Sequence, residues 1–143
     1  MKRAITALFV LFLIVCAGCG MGGVSVEHDE ELQDRLRELS AAGASASLAE
    51  LTEGGWDTVY VFSEGASAER IEREVGQAVL SSEYYYDAGN LLVFARDGEV
   101  VRAVTVLPDL LATGGQSRWS HDVRLEPQGK RTPAVLRLVE PAP

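Results

Sequence analysis

The densest run of chemically capable side chains is Ser117-Arg118-Trp119-Ser120-His121-Asp122, which holds a hydroxyl, an imidazole and a carboxylate within six positions. A serine hydrolase needs these three groups to converge, ordinarily from separate segments, so that the imidazole can take the hydroxyl proton. Neighbouring side chains on a strand point to opposite faces, which turns Ser120 and Asp122 away from His121. The chain also lacks a Gly-x-Ser-x-Gly turn to expose a nucleophile. The run reads as a loop entering a strand, no catalytic residue is assigned, and the chain is expected not to be an enzyme.

Metal and phosphate chemistry fare no better. His28 and His121 are the only histidines, and neither stands in a His-x-x-x-His pair. Glu83, Asp87 and Asp109 are too sparse for a carboxylate calcium loop. Gly114-Gly115 has neither the lysine nor the strand-to-helix setting of a phosphate loop. No metal and no cofactor are therefore expected.

One aromatic feature stands out. Tyr84-Tyr85-Tyr86 falls between a helical and a strand-like stretch, and three consecutive side chains of an extended segment cannot all face one core. At least one should be partly exposed. With Trp119 the three form a candidate interaction patch, because tyrosine and tryptophan are enriched where proteins touch. The competing reading is a bulky lid over the sheet. The patch reading carries the expectation that Tyr85→Ala leaves folding largely intact.

The first 19 residues carry a different kind of chemistry. A basic start, Met1-Lys2-Arg3, precedes an apolar run of about a dozen residues, shorter than the roughly 20 that span a bilayer. Small residues then lead to a cysteine in Ala17-Gly18-Cys19. These features resemble the lipobox signal peptide of bacterial lipoproteins, with Cys16 standing where that family usually has leucine. The resemblance implies that residues 1–18 are removed, that Cys19 becomes the acylated (palmitate-bearing) first residue, and that the domain sits outside the cytoplasm on the cell membrane or outer membrane. The alternatives are an uncleaved signal anchor and ordinary cleavage leaving a free thiol. With Cys19 acylated and Cys16 removed, no cysteine is left for a disulfide, so core packing alone must stabilise the domain.

The positioning elements can be read in turn. Glycine-dense residues 19–28 suggest a flexible tether, and residues 29–143 a single domain. Asp29-Glu30-Glu31 opens a helix with Leu32, Leu36 and Leu39 on one face, ending near Ala42-Gly43. A short helical turn is expected at Leu48–Leu51. Trp56–Phe62, aromatic or β-branched at nearly every position, predicts a central strand covered on both faces. Ser67 caps a second helix over residues 68–80, with Ile71, Val75 and Val79 at four-residue spacing. Two strand-like runs, 91–95 and 100–107, flank Asp97-Gly98, the strongest short-range hairpin signal, and Pro108 stops the second arm. A further hairpin is expected from 118–126 and 133–140, with Pro133 suiting an edge.

Helices early and strands late predict an α+β fold, with two helices packed on one face of a mainly antiparallel sheet of about five strands. The stretch from Trp56 to Leu107 (Trp-Asp-x-Val-Tyr-x-Phe, a helix, then Leu-Leu-Val-Phe-x-x-Asp-Gly-x-Val-Val) resembles a domain found in small uncharacterised bacterial lipoproteins, a resemblance that implies no activity.

Charge narrows the partners. The chain has 21 acidic and 13 basic residues, and losing Lys2 and Arg3 leaves a net charge of about −10. Such a charge disfavours nucleic acid and anionic lipid surfaces as direct partners, because their phosphates repel it, and no nucleic acid is expected. The expected partners are the lipid bilayer, through acylated Cys19, and another envelope protein. The combined expectation is a membrane-anchored, non-enzymatic envelope lipoprotein serving as an interaction module. The alternative is an envelope enzyme or small-ligand-binding lipoprotein whose site forms only on folding. Cys19→Ala is expected to abolish acyl labelling and membrane fractionation; a variant that still incorporates labelled fatty acid would put the anchor elsewhere.

Overall fold

Residues Val59–Phe62 are all buried, as are Asn90–Ala95, so both faces of these segments need a cover. The computed structural model describes residues 24–107 and 110–142; Cys19 and the signal region lie outside the described residues, as do Pro108 and Asp109. In chain order the elements are β1 (Val26–His28), α1 (Glu30–Ala42), β2 (Ala46–Ser47), α2 (Leu48–Leu51), β3 (Thr58–Ser63), α3 (Ala68–Val75), β4 (Asn90–Arg96), β5 (Glu99–Val106), β6 (Leu111–Ala112), β7 (Arg118–Ser120), β8 (Arg124–Pro127) and β9 (Leu136–Val139). They form a five-stranded sheet, β1-β5-β4-β3-β7, and a four-stranded sheet, β2-β8-β9-β6. Antiparallel pairing dominates, with β1–β5 and β6–β9 parallel.

The period-two alternation of β3 and β4 divides the core. Val59, Val61, Leu92 and Phe94 share a cluster with Leu32 and Leu36 of α1, Leu48 of α2, and Leu125, Leu136 and Leu138 of the second sheet. Tyr60, Phe62, Leu91 and Val93 share another with Ile71 and Val75 of α3, joined by Val79 and Tyr85. Two expectations are corrected here. The chain builds two sheets rather than one, and the apolar stripes of α1 and α3 enter different clusters rather than one common face. Strands apolar on both sides leave one face in water unless a second layer covers it.

Local chemistry explains the element ends. Asp29 caps α1, its Oδ1 accepting from the Leu32 N–H at 2.9 Å, and Gly43 closes the helix in the left-handed region. Asp97 and Gly98 both take positive φ, as the tightest hairpin turns require. The second helix stops short of the expected residue 80. Gly76 adopts φ +91° and donates its N–H to the Glu72 carbonyl, ending α3 at Val75 and delivering Val79 to the core from a loop.

The run 118–126 is not a single hairpin arm either. Its first part, β7, pairs with β3, while β8 pairs with β9 in the other sheet. The switch occurs at His121-Asp122, where the Ser120 hydroxyl accepts the Asp122 N–H at 3.3 Å in a side-chain-stabilised turn. Pro133 lies before β9, which is an interior strand rather than an edge.

Phe94 is 2% exposed and packs its ring 5.2 Å from that of Trp56. Phe94→Ala should cost about 3–5 kcal/mol by chemical denaturation, the range for emptying an aromatic site in a packed core. A loss under about 1 kcal/mol would mean that this cluster is not the core it is taken to be.

Candidate functional site

Two tight backbone pairings build the tyrosine segment. The Tyr85 N–H donates to the Ala66 carbonyl at 2.9 Å, and the Gly65 N–H donates to the Tyr85 carbonyl at 2.8 Å. Ser67 and Tyr84 form an antiparallel bridge, and the Ala68 N–H reaches the Glu83 carbonyl at 2.8 Å. Residues 83–85 thus lie extended beside the loop that enters α3. Alternation does the rest: Tyr85 turns inward to 2% exposure, while Tyr84 and Tyr86 remain 37% and 67% exposed. The outward rings sit 5.9 Å apart in a tilted pair.

Of the four patch residues expected, the fold leaves two outside. Tyr85 belongs to the α3-side core and Trp119 to the opposite cluster, at 5% exposure. The indole N–H of Trp119 finds no acceptor among the described residues. Trp119 therefore makes no patch with Tyr84 and Tyr86, because β7 lies along β3 with that side chain turned into the second-sheet core. Tyr85→Ala loses its expected harmlessness for the same kind of reason.

Beside the tyrosines opens a cleft of about 560 Å³, within the range of small-ligand and peptide sites. One wall is the chain from Val24 to Val26, the other runs from Ala78 to Ser82, and Tyr85, Tyr86 and Asp87 complete it. Apart from tyrosine hydroxyls, Asp87 is the only ionisable group among its described lining residues. The Val24 wall was expected to be tether. Instead Val26–His28 pairs in parallel with Ala103–Thr105, and Val24 and Val26 pack against the α3-side core. The alternation Val24-Ser25-Val26-Glu27 is the strand signal, masked by the glycines before it.

The hydroxyl–imidazole–carboxylate run forms no relay. The Ser120 hydroxyl donates to Glu140 at 2.6 Å, and the Ser120 N–H donates to the other oxygen of the same carboxylate at 2.5 Å. The His121 ring instead lies 4.8 Å from that of Trp56, with Nδ1 3.7 Å from Asp122. Glu140 thus ties the chain end to β7, a structural role for the serine.

Two carboxylates have perturbed acidity, and both serve loops. The Asp97 N–H, at 2.7 Å, and then the Thr58 hydroxyl hold the Asp57 carboxyl below its ordinary value. Burial pushes Glu74 up, but hydrogen bonds from Ser117 and Arg70 outweigh it and leave this carboxyl lowered too. Neither lines the tyrosine cleft.

The contrast between adjacent tyrosines is measurable. Tyr85→Ala should cost about 3 kcal/mol and Tyr86→Ala less than about 0.5 kcal/mol, since one empties a core site and the other trims an exposed ring. Equal losses on thermal or urea unfolding would contradict this division. Compared with known proteins, the chain matches no family model, no curated protein and no solved structure.

Proposed function

We propose that the protein is a membrane-anchored, non-enzymatic envelope lipoprotein whose domain contacts another protein through the face bearing Tyr84 and Tyr86. The observation that carries this reading is the outward pair of rings, held on a hydrogen-bonded segment at the rim of a cleft. Exposed tyrosines on rigid backbone give large contact area at small entropic cost, which is how protein contact sites gain affinity. The charged groups near the cleft do not converge as acid–base chemistry would need.

The anchor limits where such a contact can occur. Five residue steps separate Cys19 from Val24, so a fully extended chain spans at most about 17 Å, which sets the cleft close above the headgroups. A second reading, a small-ligand carrier using the same cleft, is favoured by its volume of about 560 Å³.

A photocrosslinking residue in place of Tyr86, in intact cells, should give one discrete protein adduct that disappears when Cys19 is replaced by Ala. The same residue in place of Val135, exposed on the second-sheet side, should give none. Adducts that are equal at both positions, or absent at Tyr86, would remove the contact face from this reading.

A further inference from the structure

We infer that the cleft beside Tyr86 takes an extended, basic segment of a partner protein, laid along the edge of β1 that no strand among the described residues pairs with. The inference rests on the protein-contact reading and names the chemistry of the partner. Three features on the same face support it: an edge, a charge and a pocket.

The edge comes first. β1 is the terminal strand of the five-stranded sheet, paired on one side with β5. The chain leading into it, Val24 to Val26, is also a cleft wall. An unpaired strand edge is a template for an added strand, and such addition draws affinity from main-chain hydrogen bonds while alternate side chains enter pockets. Only three residues long, β1 does not offer a long aggregation-prone edge, but it suits a short peptide.

Charge selects the segment. Residues 24–34 and 74–95 contain no lysine or arginine; Asp87 lines the cleft, and Glu27 of β1 and Glu83 of the tyrosine segment are its charged neighbours in the chain. The described residues from Leu110 onward differ: Arg118, Arg124, Lys130, Arg131 and Arg137 outnumber Asp122, Glu126 and Glu140. The segments that carry the cleft thus bear carboxylates without a neighbouring lysine or arginine in the chain, whereas the last third has a basic excess. Such a surface attracts lysine and arginine, speeds their encounter and rejects acidic partners. The same carboxylates work against an anionic bilayer as the occupant, since the surface potential of anionic lipids favours basic groups.

The pocket supplies the apolar half. Val24, Val26, Val79 and Leu80 give the cleft an aliphatic lining, and the Tyr86 ring stands at its mouth. A strand alternating apolar and basic residues presents one set inward and the other to the carboxylates.

The test uses the acylated full-length mature protein in nanodiscs of zwitterionic lipid, with two fluorescent octapeptides, one alternating valine and lysine and one alternating valine and glutamate. The lysine peptide should bind at least tenfold more tightly by anisotropy, and weaken as salt rises from about 50 to about 500 mM. Asp87→Asn and Tyr86→Ser should each weaken it fivefold or more with the circular dichroism unchanged. Glu38→Gln, at an exposed position of α1, should leave it unaltered, separating a site from general attraction to an acidic body. Equal binding of the two peptides, with the Tyr86 dependence retained, would overturn the basic-segment inference and leave the protein-contact reading standing. Binding of neither peptide, with Tyr86-dependent binding to vesicles containing phosphatidylglycerol, would overturn both.

Discussion

The fold depends on a constraint set by two strands. β3 and β4 are apolar on both faces, and each apolar face must be removed from water at about 25 cal/mol per Å². One layer cannot satisfy that demand. α3 and the tyrosine loop cover one side; α1, α2 and the second sheet cover the other. Tyr85 can reach the first cluster only because the loop is pinned at Ala66, and Trp119 reaches the second only because β7 is zipped to β3.

Polar groups join the layers where apolar contact alone would leave orientation loose. Asp29 caps α1 and pairs with Arg102 of β5 at 2.6 Å, while the buried Gln33 side chain accepts the Leu107 N–H at 2.8 Å. The Ser40 hydroxyl donates to the Ala134 carbonyl at 2.6 Å, tying the end of α1 to the segment before β9. Buried polar groups with their partners in place stabilise modestly and specify strongly, because each would be costly if misplaced. These ties fix α1 on the side of the central sheet that faces the second sheet.

That candidate face follows from the same frame. The inward turn of Tyr85 anchors the segment, and its neighbours are exposed by the alternation that buries it. A cleft forms because α3 ends early at Gly76, leaving residues 77–82 to run as a loop beside the chain entering β1. The carboxylates near it lie in segments without lysine or arginine, and of the basic residues of the last third Arg124 and Arg137 lie on the second sheet while Arg118 lies on β7.

Much of this was legible in residue order. The helix start at Asp29-Glu30-Glu31, the stop at Gly43, the Asp97-Gly98 hairpin and the doubly apolar β3 are local signals, set by backbone preference and nearest neighbours, and the chain expresses them without help from distant parts. The need for exposure somewhere in Tyr84–Tyr86 is local in the same way. Other features required tertiary structure. Which tyrosine turns inward depends on a pairing with Gly65–Ala68, the split of 118–126 depends on two sheets competing for its halves, and Trp119 is core because β3 lies beside it. The Val24 wall appears only when β5 offers its edge. Pairing partners far apart in the chain are chosen by the summed burial of many residues at once, a quantity that no short stretch of sequence contains.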